Sequence, residues 1–220
     1  MSGVRVTYFN LYGRAEFIRA MLESKCVAYT NEEITQEDWP AVKASGRFPF
    51  NSMPEVEING VKINQSKAAA RAVAIAYGYY STDPETIHAI DALLDFSQET
   101  LDAASGYVFD SDKTPEKDEN WVGVWKKKGD LLENRLKMHG KPFIAGTDSP
   151  TLADFSVICH YFAQVYNKNS AFGPLAQRVQ DEVLAKQPNL KRYIETCVKE
   201  VPEFKQYIAT RQETRTGRPF

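Results

Sequence analysis

The sequence predicts a small α/β N-terminal domain over residues 1–79 followed by an all-α C-terminal domain over residues 80–220. Three observations carry this. The chain opens on a short β-branched run with a helical apolar stripe directly behind it. An Asn59-Gly60 pair separates two short alternating runs. After Gly78-Tyr79-Tyr80-Ser81-Thr82-Asp83-Pro84, the apolar residues recur at the helical period.

Val4-Arg5-Val6-Thr7-Tyr8-Phe9 alternates and is rich in β-branched and aromatic residues, which predicts a strand. A turn at Asn10-Leu11-Tyr12-Gly13 follows, then a helix from about Arg14 to Lys25 with Phe17, Ile18, Met21 and Leu22 as its buried stripe. Tyr29 to Ile34 reads as a second strand and Trp39 to Ser45 as a short helix or turn. Val56, Ile58, Val61 and Ile63 flank Asn59-Gly60, whose tolerance of positive φ suits a type I′ hairpin. Strand, helix, strand, irregular helix, hairpin, helix is a thioredoxin-like order, yet the first helix carries no CxxC.

Beyond the linker, Ile87, Ile90, Leu93, Leu94 and Leu101 predict a helix from Pro84 to about Phe109, and Asp110 to Asn120 reads as a charged loop. Trp121 to His139 is a second long helix stopped by Gly140. Thr151 and Asp154 form a capping box before a helix from Phe155 to Tyr166, so Asp154 is expected to be structural. Pro188 opens an amphipathic helix through Leu190, Tyr193, Ile194, Cys197 and Val198, and Pro202 starts another through Ile208.

With 27 basic against 29 acidic residues there is no excess charge to hold a nucleic acid. No apolar run approaches the roughly 20 residues of a membrane span. Met1-Ser2-Gly3-Val4-Arg5 enters a strand without a signal-peptide core, so a cytoplasmic protein away from membranes is expected. Cys26, Cys159 and Cys197 are widely separated, which favours reduced core thiols. His88, His139 and His160 show no metal-ligand spacing, and no metal is expected.

The most informative segment is Met53-Pro54 before the hairpin and Gln65-Ser66 after it. Ser66 is placed to cap the helix beginning at Lys67, leaving free N–H groups as an anion site suited to a carboxylate. A cis Met53-Pro54 bond would leave the Met53 backbone to pair with an extended ligand. The pattern describes a small polar pocket for a peptide.

Thr7-Tyr8-Phe9-Asn10, Gly13-Arg14-Ala15-Glu16, Glu37-Asp38-Trp39-Pro40 with Lys43, Met53-Pro54, Gln65-Ser66 with Ala70-Arg71, and Thr151-Leu152-Ala153-Asp154-Phe155 stand in one order along the whole chain. In that order they resemble the cytosolic glutathione transferases, in detail the sigma class, related to the glutathione-dependent prostaglandin D synthases and the S-crystallins. The resemblance implies the glutathione transferase fold, glutathione as co-substrate, small apolar electrophiles as acceptors, and a homodimer. It further implies that Tyr8 donates a hydrogen bond to the glutathione sulfur and that Arg14 adds positive charge and helps to hold Tyr8. A thiol of reference pKa about 8.5 needs such help to ionise at neutral pH. Trp39 and Lys43 are implied for the glycine end, Met53 with Pro54 for the cysteinyl unit, and Gln65 and Ser66 for the γ-glutamyl end. Asp95 is implied to reach that end from the partner subunit. Phe9, Gly13, Arg14 and Tyr107 are implied for the acceptor site. Tyr107, Phe109, Trp121 and Trp125 could line the acceptor site but suit a helical core better, and Arg71 suits an internal ion pair.

Two departures stand out. The stretch Ala44 to Ser52 is longer than the family's and would close differently over the glycine end. Leu94 and Asp102 stand where prostaglandin D synthases of this class carry an acidic and an aromatic residue. Glutathione conjugation is therefore the leading expectation, with a glutathione-requiring isomerase as its rival and a non-catalytic, crystallin-like protein third. Retention of Tyr8, Arg14 and the glutathione set argues against the last.

Overall fold

The computed structural model describes residues 3–167, 170 and 172–211, without the side chains of residues 108, 109, 210 and 211. The expectations for Met1, Ser2 and the Phe109 side chain lie outside this set.

Strand β1 (Val4–Tyr8) is central in a four-stranded sheet of order β2-β1-β3-β4. It pairs in parallel with β2 (Tyr29–Glu33) and antiparallel with β3 (Glu55–Ile58), which pairs antiparallel with β4 (Val61–Asn64). Asn59 and Gly60 take φ of 52° and 84°, the two left-handed residues that a type I′ turn requires. Helix α1 (Glu16–Ser24) follows a 3₁₀ turn at Gly13–Ala15 and buries the expected Phe17, Ile18, Met21 and Leu22. Helix α2 spans Trp39–Ala44 and α3 spans Ser66–Tyr77, ending at Gly78 with φ 81°. The Met53-Pro54 peptide is cis.

Helix α4 covers Pro84–Phe109, with Asp83 accepting from the Thr86 N–H at its start. Helix α5 covers Pro115–His139 and ends at left-handed Gly140. The expected charged loop is therefore shorter than the sequence suggested, because Thr114 caps the helix, Pro115 fits its first turn, and Glu116 and Asp118 suit its positive end. Helix α6 (Leu152–Tyr161) is buried at every residue, Asp154, Ser156 and His160 included, and runs into a π-helical turn at Phe162–Tyr166. Helix α7 (Gly173–Arg178) and the helical turns that follow it to Lys186 were not foreseen, since neither shows a long stripe. Helices α8 (Pro188–Lys199) and α9 (Pro202–Arg211) complete the bundle. Both α6 and α9 pack on α1, so one side of the sheet layer is covered by the helical part. This is the glutathione transferase fold. Among the described residues no helix is long and apolar enough to cross a membrane.

Two expectations are corrected. Cys159 and Cys197 are buried free thiols, but Cys26 is exposed, because it falls in the left-handed turn just past α1 (φ 52°) rather than on the buried stripe. Ser66 does not cap α3. Gln65 holds the cap position with φ 70° and ψ 117°, which puts Ser66 already inside the first turn, and no side chain caps this helix end. Arg71 forms the expected ion pair, 2.8 Å from Asp91, which also accepts from the Tyr80 hydroxyl.

Candidate functional site

The sheet register gathers the site. Thr7 on β1 faces Glu55 on β3, and Glu55 faces Asn64 on β4, so Tyr8, Pro54 and Gln65 all leave the sheet one step beyond the same row. Met53 precedes the register, and its amide and carbonyl have no partner among the loop and turn hydrogen bonds of the described residues. Those two groups are free for an extended ligand.

Tyr8 is only 7% exposed at the end of β1. Its hydroxyl accepts a 3.2 Å hydrogen bond from the Arg14 backbone N–H. Gly13 makes this approach possible, since its φ is +44° and a Cβ there would lie 2.7 Å from the Tyr8 hydroxyl oxygen. Burial raises the Tyr8 pKa above its ordinary value, with the Arg14 N–H and guanidinium pulling the other way. The phenol is thus protonated at neutral pH and its proton is available to an acceptor. Arg14 was expected to help hold Tyr8, and the bond between them comes from its backbone N–H. Its guanidinium is bound 2.7 Å from Asp102 on α4.

Behind this turn lies a buried node that the sequence reading missed. Arg19 and Glu16 are wholly buried and 3.1 Å apart. The Arg19 guanidinium donates to the carbonyls of Leu11 at 3.0 Å and Phe9 at 3.2 Å, and to Asn31 at 2.9 Å. It therefore fixes the first half of the chain segment between Tyr8 and Arg14. The available signal was the i,i+3 spacing of opposite charges on a helix whose other residues are nearly all apolar.

Trp39 is half-buried, its ring 5.7 Å from Phe9 and 5.6 Å from Phe48. Lys43, one turn further along α2, is exposed and makes no ion pair among the described residues. The long loop after α2 is tied down rather than loose. Arg47 lies 2.6 Å from Glu32, donates to the Thr7 hydroxyl at 3.2 Å and reaches Glu55 at 3.5 Å, so it crosses three strands. These bonds from Arg47 hold the Glu32 carboxyl down at about 2. A folded-state value below the unfolded one gives stability that is present above about pH 4.5 and lost as pH falls towards 2. Arg47→Ala should lower the melting temperature at pH 7, with the difference from wild type vanishing near pH 2. Thermal melts across that range check this; a constant difference would remove the assigned role.

At the γ-glutamyl side, α3 presents its N-terminus with Gln65 exposed and Ser66 half-buried. Asp95 lies 2.6 Å from Lys67 of its own chain, in the same first turn. Phe9, Gly13 and Arg14 do not line the cavity at Tyr107. Tyr107 turns towards α5, donates its hydroxyl proton to Asp118, and with Trp121 and Val124 lines that cavity of about 170 Å³. The α4 residue that meets Arg14 is instead Asp102, supported by a 2.8 Å bond from Gln98 one turn earlier. Trp121 and Trp125 are buried in the helical core. Among the described residues no group of His, Cys, Asp and Glu is arranged to hold a metal ion.

Residues 98–211 match the family model "Glutathione S-transferase, C-terminal domain". The chain is 29% identical to the probable glutathione S-transferase 5 of Caenorhabditis elegans over 97% of this chain and 99% of that protein. It is 36% identical to the hematopoietic prostaglandin D synthase of Gallus gallus over 43% of this chain and 47% of that one. The crystal structure of a major nematode-specific glutathione S-transferase of C. elegans matches with TM-score 0.78 and 26% identity, covering 96% of this chain and 98% of that one.

Proposed function

This chain belongs to the glutathione S-transferase family, and from that premise we propose that it is a sigma-like, Tyr-type enzyme conjugating glutathione to small apolar electrophiles. The observation that carries the reading is the Tyr8 hydroxyl, buried, protonated and located by the Arg14 N–H within the Gly13 turn. Glutathione gives up its thiol proton to solvent. The Tyr8 O–H then donates to the sulfur, which forms the new C–S bond while the leaving group departs with its electron pair or the acceptor double bond takes up the charge.

In this reading Trp39 and Lys43 hold the glycine end, and the Met53 backbone beside Pro54 pairs with the cysteinyl unit. Gln65 and Ser66 receive the γ-glutamyl carboxylate at the α3 N-terminus, whose free N–H groups and dipole favour an anion. Phe9, Gly13 and Arg14 border the acceptor. Residues 1–79 carry the glutathione site and residues 80–220 the acceptor and dimer surfaces, in a cytoplasmic protein.

Gln65→Ala and Ser66→Ala should each weaken glutathione binding by roughly 1.5 to 3 kcal/mol, the worth of a charge-assisted hydrogen bond, without unfolding the protein. Retention of both variants on immobilised glutathione at wild-type strength would reduce these residues to a helix start. The homodimer belongs to the same proposal, with Asp95 of each subunit serving the γ-glutamyl ammonium of the other site. Within one chain Lys67 holds that carboxylate in an exposed pair worth ~1 kcal/mol or less, which dimer formation exchanges for the ammonium. Light scattering at assay concentration should show a dimer, and a fully active monomer would end the shared-site reading.

The prostaglandin D synthase relative favours a second reading, isomerisation of an endoperoxide by the same thiolate. An aryl halide and an endoperoxide assayed side by side separate the two.

A further inference from the structure

We propose that Asp102 is a specificity-determining residue that makes this site select neutral electrophiles over electrophiles carrying a carboxylate. The proposal rests on the glutathione-site reading and adds to it the charge of the acceptor that the site accepts.

Arg14 is next to the reacting atom by construction. Its N–H bonds the Tyr8 hydroxyl at 3.2 Å, so its side chain leaves the backbone beside the position of the sulfur. A free guanidinium there is a fork of donors matched to carboxylate, and it would draw anionic acceptors into the site. Here one arm of the fork is engaged and its charge is balanced. Asp102 Oδ1 lies 2.7 Å from Arg14 Nη2, and each side chain is 50% exposed, so the pair stands on the surface that an acceptor meets. Gln98 donates to the same carboxylate at 2.8 Å and fixes its direction. His160, which feels the Asp102 charge, has its pKa pushed down to about 4 by burial and is neutral at pH 7. The Arg14–Asp102 pair therefore presents no net charge to the acceptor. An acceptor carboxylate would meet a guanidinium whose charge is already balanced and a like-charged aspartate beside it, and it would lose water for a weakened partner. A neutral electrophile pays neither penalty.

The test uses two matched acceptors, 4-chloro-3-nitrobenzamide and 4-chloro-3-nitrobenzoate. In both, the glutathione thiolate forms a C–S bond at the ring carbon bearing chlorine, and chloride leaves with the bonding pair. The glutathione conjugates of the two are also titrated by calorimetry, which reads the site without turnover. Wild type should favour the amide over the benzoate in kcat/KM and in conjugate affinity. Asp102→Asn should move that preference towards the benzoate by on the order of tenfold, the worth of one charge-assisted bond to the released guanidinium. Asp102→Glu should keep the wild-type preference, and Arg14→Gln added to Asp102→Asn should cancel the gain.

An amide-to-benzoate ratio unchanged within about twofold in a folded Asp102→Asn that still binds the amide conjugate overturns the proposal alone. Failure of wild type to bind either conjugate overturns the glutathione-site reading and this proposal with it. A shift that persists in the double variant also overturns it, because the effect would then not run through Arg14.

Discussion

Tyr8→Phe should lower conjugation turnover by on the order of 10²-fold while leaving glutathione affinity nearly unchanged. Phenylalanine keeps the ring contact with Phe9 at 5.6 Å and the place beneath the Arg19 guanidinium, so the turn has no reason to move. It removes one hydroxyl, whose oxygen is held by the Arg14 N–H and whose proton is free to point at a ligand. Loss of that donor returns the bound thiol towards its reference pKa of about 8.5, leaving less thiolate at neutral pH. Ultraviolet titration of the bound thiolate in wild type and variant measures the change directly. An identical thiol pKa in both would dispose of the role assigned to Tyr8.

Asp154→Ala should destabilise the fold by on the order of 4 kcal/mol, far from any substrate contact. The Asp154 carboxylate is wholly buried and accepts from the N–H groups of Ile144 at 2.9 Å and Thr151 at 2.7 Å. It accepts also from the Thr151 hydroxyl at 2.9 Å and the Tyr193 hydroxyl at 2.8 Å. Burial raises its pKa, and these donors oppose that rise. Alanine would strand buried donors from the segment before α6, from the α6 start and from α8. Urea unfolding should show the loss as a lower midpoint, and a change under about 1 kcal/mol would mean that the pocket relaxes around the gap.

The parts of the fold that could be read from sequence are those whose cause is local. Asn59-Gly60 dictated its turn, Pro84 and Pro188 began helices where proline fits, and the α1 stripe faced inward as its spacing requires. The helix start at Pro115 was just as local, but the run of charges from Asp110 to Asn120 obscured the Thr114 cap. In the site, the grouping of Tyr8, Met53-Pro54 and Gln65-Ser66 follows from strand ends that lie side by side at one end of the sheet. Three features were not legible. The Asp102 partner of Arg14 lies 88 residues away, the anchoring of the long loop by Arg47 needs three strands in register, and the direction of Tyr107 depends on how α5 packs. Each is a tertiary contact with no periodic trace.

The Arg19–Glu16 node has one more partner: Tyr207 on α9 donates its hydroxyl proton to Glu16 at 2.8 Å. A residue close to the C-terminal end of the described chain thus completes the solvation of a carboxylate directly behind the Tyr8 turn. The two parts of the molecule are consequently not interchangeable cassettes. A chimera that joins this sheet layer to a relative's helices must bring a hydroxyl to the same point, or it leaves a buried ion pair short of one donor. Truncation ahead of α9 has the same outcome. Shuffling experiments and fragment expression are therefore governed less by the joint near residue 80 than by a phenol that crosses from the last helix to the first.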